Sequence, residues 1–299
     1  TPPPPRVCPY AQRVLIALAE KGVPFDQLEL ATKNPETGQW GIPMGEAKPK
    51  WFTSLAPEGK VPTVLYKEEG TIHVITESLV ILEFVEDYGN AMVKSANANA
   101  STSAPSLLPP HPATRAAARL AAKRFDEKFI PPFYALLRGG LTAEDQKKHK
   151  EVLTSELEWL EAHADAAGPY FNGACFSLAD AALIPFFLRM FELKARSGFE
   201  IPARCEKLIR WYGACASRAS VIGTLNTPSG EEEGEGEEEK EGGAGALAAL
   251  ASVAGAEGAE KQKGGGGGSV SNGNDWEVAL TKFFVGYLGP RPAVESAAA

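Results

Sequence analysis

Residues 6–14 have the sequence Arg6-Val7-Cys8-Pro9-Tyr10-Ala11-Gln12-Arg13-Val14. They put a cysteine at the head of a predicted helix. Proline suits the first helical position, because its missing N–H has no partner there and its fixed φ is already helical. Apolar residues continue at helical spacing from Val14 to Leu18, and Gly22 is a typical helix end. The stretch therefore predicts a helix from Pro9 to the residue before Gly22.

Cys8 would lie where unpaired backbone N–H groups and the positive end of the helix dipole converge. That environment favours the thiolate, the reactive form of cysteine, and predicts a depressed pKa. Position 11 holds alanine, where a Cys-x-x-Cys motif would supply a second thiol. A disulfide formed on Cys8 would then have to be resolved by an outside thiol. The alternative is that Cys8 is a small buried apolar residue without chemistry.

The charge of this chain is concentrated in one segment. Residues 231–241 hold eight glutamates and one lysine, most of the net charge of −8. The near-neutral remainder gives no reason to expect nucleic-acid binding. No apolar run approaches the roughly 20 residues that span a bilayer, so we expect no membrane span. Four cysteines and four histidines at wide spacings match neither a secreted disulfide framework nor a metal site.

Residues 6–89 are predicted to form an α/β domain. The expected elements after the first helix are strands and one further helix, at Phe25–Leu30, Val61–Tyr66, Thr71–Ile75 and Thr76–Tyr88. This order matches the latter part of a thioredoxin-like β-α-β-α-β-β-α unit, and Gly89 would end its last helix. The fold class expected is a thioredoxin-like N-terminal domain followed by an all-α C-terminal domain.

The first strand of the thioredoxin-like unit is missing from its expected place. Only Arg6 and Val7 separate Cys8 from four prolines, and proline cannot donate to a sheet ladder. We expect that the natural protein carries an apolar strand there, and that this chain leaves two unpaired edges in the middle of its sheet. The expected location is cytoplasmic, with organellar targeting left open because the N-terminus looks incomplete.

The rest of the chain divides into four stretches. Residues 90–112 are predicted to be a linker, and residues 113–226 an all-helical domain. Residues 227–274 are a low-complexity insert, acidic and then Gly-rich, and are expected to be disordered. Helical periodicity returns at residues 275–288, in an apolar stripe of Trp276, Leu280, Phe283, Phe284 and Tyr287. We expect this last segment to be a helix that packs on the helical domain.

Four helices are predicted in the helical domain, at Ala113–Leu137 with an interruption near Pro131, Thr142–Ala167, Ser177–Arg196 and Cys205–Ala219. The third begins with Ser177-Leu178-Ala179-Asp180, which resembles a capping box with Asp in place of the usual Glu. We assign Ser177 and Asp180 a structural role only.

Several motifs, in this order and spacing, resemble those of a cytosolic glutathione transferase. They are Cys8 to Arg13, Lys60-Val61-Pro62, Glu77-Ser78 and the Ser-x-x-Asp of the buried helix. Within that family the chain is most similar to the cysteine-type omega class, and next to the lambda class. Ala47 to Phe52, Trp211 with Val221, and the Asp275-Trp276 segment carry the omega likeness.

The resemblance implies glutathione as co-substrate, bound by Tyr10, Lys48, Val61, Pro62, Glu77 and Ser78. In the family the proline matching Pro62 is cis, and the residue before it pairs with the cysteinyl part of glutathione. By the same resemblance, Glu77 would pair with the γ-glutamyl amine, and Ser78 would take the γ-glutamyl carboxylate. Lys48 would face the glycyl carboxylate. Each residue also has an alternative without glutathione. Pro62 would be an ordinary edge-strand proline, Glu77 and Ser78 would cap a helix, and Lys48 would be a solvated surface lysine.

Arg189 and Trp211 match residues that line the family's second-substrate pocket. An aromatic side chain there would bound an apolar cavity. The alternative for each is ordinary: an arginine on a helix face and a tryptophan of the core.

The resemblance implies an enzyme in which Cys8 is catalytic. It would form a mixed disulfide with glutathione that a second glutathione resolves, as in a thiol transferase or a dehydroascorbate reductase. Its substrates would be small disulfides or electrophiles, and a homodimer is compatible with the family. The alternative is a non-enzymatic binding or assembly module with the same fold.

Overall fold

The computed structural model describes residues 8–29, 32–33, 40–41, 48, 50–68, 71–96, 105–225 and 281–285. The acidic insert 227–274, expected to be disordered, and residues 6–7 lie outside these ranges. Among the described residues, no helix is both long enough and apolar enough to cross a membrane.

The first helix, α1, runs from Pro9 to Lys21 as predicted. Gly22 follows it in the left-handed conformation, with φ 61° and ψ 28°, and its N–H bonds back to the last turn. Glycine adopts this conformation without a Cβ penalty, which is why it ends the helix. From Ala11 to Leu18 every side chain of α1 is buried, because the helix lies between the sheet domain and the helical domain.

A four-stranded sheet forms the N-terminal half. Its strands are β1 (Phe25–Glu29), β4 (Thr63–Glu68), β5 (Thr71–Ile75) and β6 (Thr281–Val285), in the order β1-β6-β4-β5. A separate pair, β2 (Thr32–Lys33) and β3 (Trp40–Gly41), and a short helix, α2 (Lys50–Leu55), occupy the connection between β1 and β4. The strands and hairpin predicted from the sequence are confirmed to within about two residues.

Strand β6 corrects the expectation for the C-terminal segment. Residues 281–285 are not helical: they pair in parallel with β1, from Phe25↔Thr281 to Glu29↔Val285, and antiparallel with β4, where Thr63 faces Phe284. β6 therefore lies in the central position, between β1 and β4, where the first strand of the thioredoxin-like unit was expected, and the expected unpaired edges in the middle of the sheet are absent from the described strands. Two ladders of backbone hydrogen bonds outweigh the segment's helical periodicity, and its β-branched and aromatic residues suit a strand.

Helix α3 spans Ser78–Ala96 and is longer than predicted. It passes through Gly89, so the expected end at that residue is wrong, and the first part of the predicted linker 90–112 is helical. Gly89 is required for close packing, because a Cβ at this position would lie only 2.7 Å from Cε of Lys21. The glycine lets α1 and α3 approach closely instead of ending the helix.

The helical half contains α4 (Pro112–Arg124), α5 (Ile130–Arg138), α6 (Ala143–His163), α7 (Leu178–Phe187), α8 (Met190–Ser197), α9 (Glu206–Ala216) and α10 (Ala219–Gly223). The first predicted helix is interrupted at a π-helical turn, Phe125–Phe129, and not at Pro131. The third and fourth predicted helices are each split in two, the third at Leu188–Arg189 and the fourth after Ala216.

Helix α7 is the centre of the helical half, and all ten of its residues are buried. The predicted capping box is present: the side chains and backbones of Ser177 and Asp180 bond reciprocally. Asp180 also accepts hydrogen bonds from the Phe171 N–H and from Nε1 of Trp211. Burial raises the pKa of this carboxyl, and its four donors oppose that rise. Its partners are all structural, as expected.

Candidate active site

Cys8 is the N-cap residue of α1, with φ −56° and ψ 130°. Its carbonyl accepts the first bond of the helix from the Gln12 N–H at 2.8 Å, and Pro9 takes the first helical position. The residue is half-buried and makes no disulfide. The predicted placement of the cysteine at a helix start is confirmed.

The surroundings of Cys8 contradict the expected depression of its pKa. Burial raises the pKa of the thiol, since a charged sulfur loses its hydration. The N–H groups of Ala11 and Tyr10 oppose this rise, as do the positive charges of Arg189 and Arg13. The helix start acts in the direction expected, but desolvation is the larger effect.

Aromatic side chains from both halves pack against one another near the start of α1, which Cys8 caps. The ring of Tyr10 meets Phe186 of α7 edge to face at 5.3 Å, and Phe186 also contacts Tyr134 of α5. Burial raises the pKa of Tyr10 to about 12. Burial also raises the pKa of Tyr134, and the charges of Cys8 and Tyr10 add to this rise. Tyr134 thus lies near the thiol, although nothing in the sequence singled it out.

The loop before β4 has the geometry that the resemblance implied. The Val61–Pro62 peptide is cis, and Pro62 is buried. Lys48 is half-buried, and its Nζ donates to the Gly59 carbonyl at 2.6 Å. A Cβ at Gly59 would lie 3.0 Å from the Lys48 side chain, so the lysine stem lies over this turn. Lys48 is therefore next to the Val61–Pro62 turn and not isolated on the surface.

Glu77 and Ser78 lie at the start of α3. Glu77 is exposed and has φ +65°, the one positive value among the described non-glycine residues. A left-handed backbone at a non-glycine residue costs about 1–3 kcal/mol, and such positions cluster at functional sites. The Nζ of Lys60 lies 3.9 Å from Glu77 Oε1. Ser78, in contrast, is buried.

Arg13 joins Ser78 to the helical half. Its Nη1 donates to Ser78 Oγ at 3.0 Å, and its two terminal nitrogens bond both oxygens of Asp126 at 3.1 and 2.5 Å. Its Nε donates to the Ala182 carbonyl of α7 at 2.7 Å. The guanidinium is fully buried and lies 4.9 Å from the centre of the Phe186 ring. Arg13 belongs to the motif that carried the resemblance, but Asp126 has no sequence signal.

Arg189 is buried at the junction of the two halves. Its Nη1 donates to Oε1 of Gln12 at 2.8 Å and to the Pro185 carbonyl, while Gln12 Nε2 donates to Thr224 Oγ1 at 2.9 Å. Its charge lowers the pKa of Cys8, so the arginine is near the thiol. Only 4 % of the Arg189 surface is exposed, so the side chain lies behind the surface of the site and does not line a substrate pocket as expected.

Trp211 is a core residue, which corrects its expected place in a second-substrate pocket. It is 2 % exposed, its ring meets Phe187 at 4.8 Å, and its Nε1–H donates to Asp180 at 2.6 Å. A side chain enclosed on every side cannot contact a substrate. Tyr10 and Tyr134 are instead the tyrosines that pack against Phe186 near the start of α1.

The site thus combines groups from α1, the β4 turn, the α3 start and the helical half. Helix α1 links these groups: Cys8 caps it, Tyr10 lies in its first turn, Arg13 bonds Ser78, and Gln12 bonds Arg189. Trp211 lies apart from them in the core. Among the described residues, no group of three or more His, Cys, Asp or Glu side chains could hold a metal ion. A cysteine thiol and the N-terminal amides of a helix are groups that could take a thiol co-substrate that carries carboxylates.

Known proteins have the same two halves. Residues 7–87 match the family described as "Glutathione S-transferase, N-terminal domain", and residues 126–224 match "Glutathione S-transferase, C-terminal domain". The chain is 29 % identical to Arabidopsis thaliana "Glutathione S-transferase U28" over 73 % of its length and 84 % of that protein. It is 29 % identical to "Probable glutathione S-transferase DHAR1, cytosolic" of Oryza sativa subsp. japonica, over 73 % of this chain and 83 % of that one.

Among solved structures, the glutathione transferase Omega 3C of Trametes versicolor is 32 % identical, with a TM-score of 0.57. The likeness covers 73 % of this chain and 84 % of that chain. It extends over both the thioredoxin-like half, where Cys8 starts α1, and the helical half that holds Arg13 in place. The chain therefore belongs to the glutathione S-transferase family.

Proposed function

We propose that this protein is a cysteine-type, omega-like glutathione transferase with glutathione-dependent thiol transferase and dehydroascorbate reductase activity. The observation that carries the proposal is a cysteine at the N-cap of α1 with buried Ala11, not a second cysteine, one turn later. A lone thiol at this position can be oxidised and reduced only with the help of an external thiol. The likeness to an omega structure supports the class, and we place the activity in the cytoplasm.

The reaction consists of two thiol–disulfide exchanges at Cys8. The Cys8 thiolate attacks the glutathionyl sulfur of a mixed disulfide, the S–S bond breaks, and the substrate leaves as a thiolate that takes up a proton. A second glutathione, as thiolate, attacks the new Cys8–glutathione disulfide. This step restores the Cys8 thiolate and releases glutathione disulfide. With dehydroascorbate, Cys8 and one glutathione are oxidised together to the Cys8–glutathione disulfide, and the two electrons and two protons that they lose reduce dehydroascorbate to ascorbate. A second glutathione then attacks this disulfide as before, which restores the Cys8 thiolate and releases glutathione disulfide.

The chemistry of the site residues supports glutathione as the ligand. The backbone of Val61 would pair with its cysteinyl unit, and Pro62 and Tyr10 would bound the same space. Glu77 would take the γ-glutamyl amine, and Ser78 with the α3 amides would take the γ-glutamyl carboxylate. Lys48 would face the glycyl carboxylate, for which its position beside the β4 turn is suitable. Arg189 would keep a positive charge near the thiolate without contacting the substrate.

A second candidate is a non-enzymatic glutathione-binding or assembly module. The raised pKa of Cys8 favours it, because little thiolate is present at neutral pH. The enzyme and a glutathione-binding module share the binding site and differ only in whether Cys8 completes a catalytic cycle, whereas an assembly module does not need glutathione.

The experiment compares wild type, Cys8→Ser and Cys175→Ser. Glutathione affinity is measured by calorimetry, and reduction of hydroxyethyl disulfide and dehydroascorbate by coupled assay. We expect Cys8→Ser to bind glutathione but to lose both activities, and Cys175→Ser, which changes an exposed thiol, to keep them. A wild type that binds glutathione without either activity would favour the binding module, and a wild type that does not bind would refute the proposed enzyme.

A further inference from the structure

The side-chain amide of Gln12 has a defined orientation one helical turn after Cys8. Gln12 is fully buried, and its backbone N–H bonds the Cys8 carbonyl at 2.8 Å, so the two residues share a face of α1. Its Oε1 accepts from Arg189 Nη1 at 2.8 Å, because a guanidinium can only donate hydrogen bonds. Its Nε2 donates to Thr224 Oγ1 at 2.9 Å. The amide therefore presents its oxygen to the arginine.

Thr224, the C-cap residue of α10, fixes this orientation from the far side of Gln12. Its hydroxyl donates to the Val221 carbonyl at 2.6 Å, which leaves the hydroxyl oxygen as the acceptor for Gln12 Nε2. Arg189, the N-cap residue of α8, also donates to the Pro185 carbonyl. The three buried side chains thus form one directed chain of hydrogen bonds, and such a network holds its members in a single arrangement.

This network holds a positive charge near Cys8 by means of a neutral group. The charged and titratable groups around Cys8 are Tyr10 and Arg13 of α1, Glu77 before α3, Asp126, Tyr134 of α5 and Arg189. Arg13 is bound by both oxygens of Asp126, and the carboxylate offsets its charge. Gln12 holds Arg189 without adding an opposite charge. Both arginines lower the pKa of Cys8, and Arg189 has the larger effect.

We propose that Gln12 and Thr224 are positioning residues that hold the Arg189 guanidinium where its charge stabilises the Cys8 thiolate. The charge opposes the loss of hydration of the buried sulfur, so more thiolate forms at a given pH. Both residues act through Arg189 and not through the substrate. This inference rests on the proposed function, because it takes Cys8 as the reacting thiol.

A double-mutant cycle asks whether Gln12 acts on Cys8 through Arg189. Gln12→Met, Arg189→Gln and the double variant are compared with wild type. The rate of Cys8 alkylation by iodoacetamide is measured as a function of pH, with thermal unfolding in parallel. Arg218→Gln is the matched control, because it removes another arginine that joins α10 to α1, through Glu20 in the last turn of α1.

We expect Gln12→Met and Arg189→Gln each to raise the pH midpoint of Cys8 alkylation by about one unit, which lowers the rate at neutral pH about tenfold. The double variant should rise no further than Arg189→Gln, because Gln12 then has no guanidinium to position. Arg218→Gln should leave the midpoint unchanged, since its charge lies at the other end of α1. If Arg189→Gln does not fold, Thr224→Val decides the matter: it removes only the acceptor that orients Gln12, and its midpoint should also rise.

An unchanged midpoint in Gln12→Met or in Thr224→Val would overturn the proposal and give the network a structural role only, whatever happens to the melting temperature. Additive rises in the double variant would overturn it as well, because Gln12 would then act without Arg189. Each of these outcomes leaves the proposed function intact, since that function is refuted by a wild type that does not reduce disulfides with glutathione.

Discussion

Lys21, at the end of α1, and Glu86, in the middle of α3, form a buried ion pair with Nζ and Oε2 2.9 Å apart. Glu86 also accepts hydrogen bonds from the Ser106 hydroxyl and the Leu107 N–H, where the chain enters the helical half. Lys21 in turn donates to the Pro105 carbonyl at 2.9 Å. One pair thus ties together α1, α3 and the connection between the two halves.

Replacing Glu86 by glutamine should destabilise the protein by about 3–5 kcal/mol. The amide leaves the buried Lys21 ammonium without its counter-charge, and a buried ion pair costs most when one partner is removed. Urea unfolding measures the change. Glu83→Gln, on the same helix, is the control, because its pair with Arg119 is largely exposed and should be worth about 1 kcal/mol or less. Equal losses for the two variants would contradict this prediction.

The contribution of Glu86 to the free energy of unfolding should also depend on pH. Burial raises the pKa of this carboxyl, but the donors Ser106, Lys21, Leu107 and Asn90 outweigh burial and hold it below its usual range. A lowered pKa in the folded state means that the stabilisation is complete above the unfolded value of about 4.3. It is lost as the pH falls through the folded pKa.

Urea unfolding of wild type and Glu86→Gln from pH 7 to pH 3 measures this dependence. The stability difference between the two proteins should be constant down to about pH 4.5 and then shrink. A difference that stays constant to pH 3 would contradict the ionic role of Glu86.

Alkylation of Cys8 in the unliganded protein should have its pH midpoint above about 8.5, the ordinary thiol value. Burial raises the pKa of this thiol, so the reactive thiolate forms only as the pH rises through the raised value. Iodoacetamide labelling followed by peptide mass spectrometry gives the rate for each cysteine, and Cys8→Ser identifies the Cys8 signal. A midpoint below 8.5 would show that the helix start and the arginines outweigh desolvation.

Proline at position 283 should unfold the sheet domain. Phe283 lies in the central strand, opposite Gln27 of β1 and Val64 of β4, and proline has no N–H to donate to the ladder that the Phe283 N–H would join. The orphaned acceptor alone costs about 1–3 kcal/mol, and glutathione binding should be lost with the sheet. Thr71→Pro, at the first residue of the edge strand β5, is the control and should change little. Thermal unfolding measures both, and equal melting temperatures for Phe283→Pro and wild type would contradict the role of β6.

Short-range signals in the sequence were enough for much of the fold. Proline at the first helical position and Gly22 after the last predict α1 to the residue, because both act within one helical turn. The Ser177–Asp180 capping box is equally local and is present. The cis peptide before Pro62 followed from the family likeness and is also present.

Other features depended on distant partners. Gly89 resembles a helix end, but its role is set by the Lys21 side chain of another helix. Trp211 is in the core because Asp180 and Phe187 surround it, and no local pattern distinguishes a core tryptophan from one that lines a pocket. The direction of the Cys8 pKa likewise needed the amount of burial, which a helix start does not specify.

The helix that carries Cys8, the hairpin of β4 and β5, and the family follow from the sequence alone, because they depend on neighbouring residues and on motifs. Which segment fills the middle of the sheet depends instead on tertiary structure. Residues 281–285 have an apolar pattern compatible with either a helix or a strand, and the pattern alone favoured the helix. The open backbone groups of β1 and β4 decide between the two, because a strand satisfies both ladders at once and a helix satisfies neither.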